Sequence, residues 1–133
     1  MINQPKYEAS IAKTFAGSTL DYPRKPQDRI VFLGALSVFL LKRESYSEPA
    51  LNGAIAGWLR SFDAATTLDH VTLRRYLVDA GFLLRDEAGL GYSVDRPALT
   101  KQFEEPVLSL DVHEIVRQAR AEREARKSAF RVR

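Results

Sequence analysis

Between Pro26 and Asp95 three helix-forming segments run straight into two short strand-forming ones, and this order limits the fold more than any other feature of the chain. The first segment, about Pro26 to Lys42, holds the longest apolar run, Ile30 to Leu41, broken only by Gly34 and Ser37. Apolar side chains on nearly every side imply a helix buried all round. The run falls short of the roughly 20 residues that a membrane span needs. Pro26 suits the first helical position, where a missing N–H costs nothing.

The second segment covers about Glu48 to Arg60. Ser45 and Glu48 have capping-box spacing. That choice would put Pro49 where the first intrahelical N–H is required, so Ser47 is the preferred cap. Leu51, Ile55, Trp58 and Leu59 form its apolar face. The third segment is about Leu68 to Ala80, capped by Thr67 or Asp69 and closed by Gly81 in a left-handed conformation. Phe82 to Arg85 then reads as a strand, Asp86 to Gly89 as a turn, and Leu90 to Val94 as the returning strand. Helix, helix, helix, hairpin is the order of a winged helix-turn-helix. The expected fold class is therefore mainly α with a small β-hairpin, the winged-helix domain occupying residues 26–95.

The flanks read differently. Residues 1–25 have weak periodicity and are expected to form an N-terminal arm, with room for one short helix around Tyr7 to Phe15. Pro23 and Pro26 bracket Arg24 and Lys25 and should hold them extended. Residues 96–110 read as a linker, and 111–133 as a basic C-terminal helix and tail. The helix is expected from Leu110 to about Ser128, with Asp111 and Glu114 as a capping-box-like pair. Val112, Ile115, Val116 and Ala119 supply two turns of apolar face, after which the stripe stops. The helix should dock at its start and project at its end.

Charge follows the same division. Residues 1–27 are net +2, residues 28–95 net −2, and residues 96–133 net +3. Phosphate neutralisation carries most nucleic-acid affinity, so any such affinity is expected to come mainly from the flanks. The chain has no cysteine, which excludes disulfides, a thiol nucleophile and thiolate metal sites. His70 and His113 stand far apart without a ligand motif, so no metal and no cofactor are expected. Glu104–Glu105 and Asp86–Glu87 are adjacent carboxylates without the cleft that paired catalytic acids need. No nucleophile–base constellation is present, and the chain is not read as an enzyme. The N-terminus lacks the apolar core of a secretory signal, which points to a cytoplasmic location and no membrane partner.

The segment Leu68 to Ala80 is the candidate recognition helix. Leu73, Tyr76, Leu77 and Ala80 share one face, which should be core. The opposite face shows Val71, Arg75, Val78 and Asp79, flanked by Thr72 and Arg74. An exposed arginine can fork onto guanine or a phosphate. Arg75 and Asp79 could instead pair at i, i+4. Val71 and Val78 are unusual on a surface meant for phosphates and suggest that a partner covers part of it. The second basic cluster is Arg117, Arg120, Arg123, Arg126, Lys127, Arg131 and Arg133. It reads either as a phosphate-tracking arm or as a solvated helix with Arg120–Glu124 and Glu122–Arg126 pairs.

The stretch DHVTLRRYLVDAGFLLRD, Asp69 to Asp86, resembles a family of bacterial winged-helix-like domains of unknown function. The resemblance extends through YPRKPQDR, Tyr22 to Arg29, and YSEPALN, Tyr46 to Asn52, and ends near Tyr92. Those domains occur alone or appended to ArsR-type transcriptional regulators. The family tends towards a short Asp-Gly turn before an aromatic, where this chain has the longer EAGLGY. The resemblance implies a regulatory, DNA-associated role and supplies no ligand or site.

The leading expectation is a nucleic-acid-associated regulator, a DNA-binding transcription factor or accessory subunit. Its contacts would be Thr72, Arg74 and Arg75 in the reading helix, Arg24 and Lys25 in the arm, and Arg117, Arg120, Arg123, Arg126 and Lys127 in the tail. A protein-interaction module using Val71 and Val78, and an RNA- or ribosome-associated factor using the final helix, are the alternatives. The oligomeric state is left open.

Overall fold

The computed structural model describes residues 1–88 and 90–131. Gly89, at the expected hairpin turn, and Arg133, in the basic cluster, lie outside the described residues. The protein is mainly helical, with a small three-stranded antiparallel sheet. In chain order come α1 (Gln4–Phe15), α2 (Pro26–Leu40), β1 (Tyr46–Ser47), α3 (Glu48–Arg60), α4 (His70–Asp79), β2 (Leu83–Arg85), β3 (Gly91–Val94) and α5 (Arg96–Gln102). A short 3-10 helix (Glu105–Ser109) and α6 (Val112–Arg131) complete it.

The long apolar helix is central. α2 buries Val31, Phe32, Leu33, Ala35, Leu36 and Leu40 and packs against α1, α3 and α4. Its caps and those of its neighbours follow from local chemistry. Ser47 accepts from the Ala50 N–H at the start of α3, with Pro49 in the first turn. Asp69, one of the two expected candidates, accepts from the Thr72 N–H at the start of α4. Those hydrogen bonds hold the Asp69 carboxyl below the usual carboxylate range. Gly81 ends α4 at φ +82°, a conformation that costs a side-chain-bearing residue strain.

The sheet has one strand more than the hairpin expected. β3 lies in the middle, flanked by β1 and β2, with Tyr46 opposite Tyr92 and Leu83 opposite Val94. β1 is two residues long and continues straight into α3, so it leaves no alternation to read. The Tyr46 hydroxyl donates to the Leu40 carbonyl and ties the strand to the end of α2.

Neither flank is a plain connector. Asn3 caps α1 by accepting from the Lys6 N–H, and α1 inserts Tyr7, Ile11 and Phe15 into the same core as α2 and α3. Phe15 stacks on Phe32 at 5.1 Å and meets Phe62 at 4.7 Å and Trp58 at 5.6 Å. The backbone fastens both ends of this segment. The Ile2 N–H donates to Gln102 O and the Glu104 N–H to Ile2 O; the Leu20 N–H donates to Ala65 O and the Ala65 N–H to Ser18 O. Residues 96–110 likewise hold α5 and the 3-10 helix, and bury Leu99, Phe103, Val107 and Leu108. The Phe103 ring lies directly on α2, where a Cβ on Gly34 would come within 2.2 Å of it.

Tyr7 is fully buried, and its hydroxyl has no partner among the described residues. Burial also pushes its ionisation far up. An unmade hydrogen bond in the core is destabilising, so Tyr7→Phe should raise stability by about 1 kcal/mol. Urea unfolding checks this; a loss of stability would mean that the hydroxyl has a partner.

Candidate nucleic-acid interface

The exposed face of α4 arises because only Leu73 and Leu77 are buried. Tyr76 is half-buried, and Ala80, expected in the core, is exposed at the C-cap. Val71 is 53% exposed and Val78 39%, too much for either to serve the core. With Arg75, Asp79, Arg85 and Tyr92 they line an open groove of about 290 Å³ between α4 and the hairpin.

The two adjacent arginines have different roles. Arg74 turns towards α3, where Nη1 donates to Asn52 Oδ1 at 2.7 Å and lies 3.0 Å from Glu48 Oε1. Its guanidinium also sits 5.8 Å from the centre of the Tyr92 ring. Only 20% of the side chain is exposed, so Arg74 clamps α4 to α3 and β3. Arg75 is exposed, and the Arg75–Asp79 pair does not form among the described residues. Its guanidinium lies 5.8 Å from the Tyr76 ring centre. Thr72 is half-buried in the first turn, its N–H taken by Asp69.

An aromatic contact brings the first flank to this face. Tyr22 packs on Tyr76 with ring centres 4.7 Å apart, and Arg29 lies 5.4 Å from the Tyr22 ring. Burial raises the pKa of the Tyr22 hydroxyl and disfavours its ionisation, against the opposing effect of Arg29. Arg29 Nε also donates to Pro23 O, fixing the turn into α2. Arg24 and Lys25 follow Tyr22 directly; both are exposed, and Lys25 is extended at the N-cap of α2. The sequence argument named Arg24, Lys25 and Arg75 but missed Arg29 and Arg85. The signal for Arg29 is its place in the YPRKPQDR segment, and for Arg85 its place at the end of a strand that follows α4.

The basic C-terminal cluster divides sharply. Arg120 donates to Phe15 O and Phe62 O, and Arg123 donates to Ala12 O. These carbonyls belong to the last turn of α1 and to the residue pair after α3, so Arg120 caps two helix ends, while Arg123 adds a second donor to Ala12 O, which already accepts the Ala16 N–H. Arg117 makes a two-pronged pair with Glu114. Hydrogen bonds from Arg117 and Gln118 hold Glu114 down to about 2. Arg131 pairs with Glu124 at 3.3 Å. Neither Arg120–Glu124 nor Glu122–Arg126 forms among the described residues. Arg126 and Lys127 are exposed and make no ion pair among the described residues.

The two histidines are apart. The His113 ring stacks on Phe62 at 4.4 Å, and its Nε2 is 2.7 Å from Ser61 Oγ. His70 is half-buried in the first turn of α4. Among the described residues no group of three or more histidine or carboxylate side chains is placed to hold a metal ion. No helix of the described residues is long and apolar enough to cross a membrane.

No curated protein and no solved structure matches the chain. One family pattern does match, over residues 20–94, which is more than half of the sequence. It covers α2 to β3 and stops before α5 and α6. The chain belongs to that family, described as an uncharacterized protein conserved in bacteria (DUF2087).

Proposed function

We propose that the protein is a cytoplasmic DNA-binding regulator of the winged helix-turn-helix type, with α4 as the reading helix and the β2–β3 hairpin as the wing. The order α2, β1, α3, α4, β2, β3 supports this reading. The observation that carries it is the exposed Arg75 on α4, with Arg85 across the groove on the hairpin side; Arg24 and Lys25, exposed beside the turn into α2, line a separate groove with Lys13 and Thr14 of α1. Fold alone does not give function, so the argument rests on these side chains.

A helix about 10–12 Å across fits a major groove about 12 Å wide, and the ten residues of α4 would lay about 15 Å along it. Arg75 has the planar fork that reads guanine, while Val71 and Val78 can meet thymine methyl groups. Arg24, Lys25 and Arg85 would contact phosphates and set the register. Arg74, bonded to Asn52 and Glu48 at the edge of the same groove, would act mainly by holding α4 in place.

The test is duplex affinity after selection of a preferred sequence from a random pool. Arg75→Ala should cost about 1–3 kcal/mol at that sequence and leave most of the salt dependence intact. Removing Arg24 and Lys25 together should flatten the slope of log affinity against log salt by about 1–2 units across all sequences. A full-length protein with no salt-sensitive affinity for DNA or RNA would end this reading. The exposure of Val71 and Val78 would then favour a protein partner seated in the same groove.

A further inference from the structure

From Glu124 to Arg131 every residue of α6 is exposed, so the last two turns of the helix project from the body. Phe130, at the end of this projection, is 80% exposed. It is the most exposed large apolar side chain among the described residues. Ile115, Ala119, Glu122, Arg126 and Phe130 recur at intervals of three and four residues, so they share one side of α6. This stripe runs beside the face that buries Val112 and Val116. Its first half borders a groove of about 350 Å³ between α1 and α6. Leu110, Ile115 and Ala119 supply the apolar lining, with Glu8, Glu114 and Glu122 at its rim. The second half carries Arg126, Lys127 and Phe130.

One helix thus bears an apolar groove with acidic edges and, further along, an aromatic side chain with basic neighbours. The helix is continuous, which keeps Phe130 about 22 Å along the axis from Ile115. A chain cannot fill its own groove. Glu8 and Glu122 make no ion pair among the described residues and disfavour a polyanion in the groove. A second copy satisfies both halves at once, because antiparallel pairing about a two-fold axis sets Ile115 against Phe130 and leaves Arg126 within one helical turn of Glu122 on the other copy. We propose that α6 is a self-association surface, on which two copies pair their α6 helices antiparallel, Phe130 of each entering the groove of the other and Arg126 of each meeting Glu122.

Sedimentation velocity of the full chain without nucleic acid tests this, independently of any affinity for DNA. The expected result is a concentration-dependent monomer–dimer equilibrium that weakens as salt screens the charges. Phe130→Ser, Glu122→Arg and Arg126→Glu should each weaken dimerisation about tenfold or more. All three residues are exposed, so the circular dichroism spectrum should stay unchanged, and any fall in melting temperature should be confined to concentrations at which the parent chain dimerises. The double variant Glu122→Arg with Arg126→Glu should dimerise again, because each reversed charge then meets a reversed partner. A chain that stays monomeric at all concentrations would overturn the proposal. So would unchanged dimerisation in Phe130→Ser, or a double variant no stronger than the single ones.

Discussion

Phe15→Ala should lower the unfolding free energy by about 3–5 kcal/mol, the range for truncating a buried aromatic. The reasoning starts from position. Phe15 is fully buried at the end of α1, and its ring is shared with Phe32, Phe62 and Trp58 from three other parts of the chain. Truncation would remove its own buried area and leave a void that three stiff rings cannot collapse to fill. A domain of this size has about 5–15 kcal/mol in total, so the loss is a large share. Lys6→Ala, on the exposed side of the same helix, should change stability by no more than about 0.5 kcal/mol. Urea unfolding midpoints measure both. Equal, small effects would mean that residues 1–25 are a solvated arm after all.

The second large effect separates the two neighbours at the centre of α4. Leu73→Ala should cost about 2–5 kcal/mol, since the leucine is fully buried. Arg74→Ala would be nearly silent for a solvated arginine. In this structure it should cost about 1 kcal/mol, because the side chain bonds Asn52 and Glu48, although Glu48 is half in solvent and the pair is partly screened. Arg75→Ala should leave the melting temperature unchanged. A thermal series of the three variants therefore ranks Leu73 above Arg74 above Arg75. An Arg75 loss as large as that of Leu73 would place the guanidinium in the core and remove it from any interface.

The helices between Pro26 and Ala80 were legible because their signals are local. Pro26 and Pro49 fit first turns, Ser47 caps, Gly81 stops, and a continuous apolar run such as Ile30 to Leu41 has no solvent-facing solution. The flanking helices at Tyr7 to Phe15 and from Leu110 were legible too, but the docking of α1 and the elements within residues 96–110 were not, for the opposite reason. α1 has only Tyr7, Ile11 and Phe15 as large core residues among polar neighbours, and what anchors it is long-range, namely backbone bonds to Gln102 and Ala65. Phe103 counts as core only once Gly34 is known to lie beneath its ring. β1 is too short to carry any period.

At the candidate site the sequence placed Arg75 on the outward face of α4 and Arg74 on its flank, but did not show that Arg74 turns inward. Adjacent positions on a helix differ by about 100°. Whether a flanking arginine turns inward depends on Asn52 and Glu48, on another helix. The tail shows the same limit. Arg117, Arg120, Arg123, Arg126 and Lys127 look alike as a run of positive charge. Yet Arg120 and Arg123 bond carbonyls at the ends of α1 and α3, and Arg117 is taken by Glu114. Counting basic residues therefore overstates the charge open to phosphates.

The most direct measurement is a backbone amide chemical-shift map of the full chain titrated with a short duplex carrying its selected sequence. The account predicts that the largest changes fall on α4 from Val71 to Val78, on Arg85 in the hairpin, and on Arg24 and Lys25, while α1 and the first half of α6 stay still. Changes confined to the end of α6, or no change at any salt concentration, would contradict it.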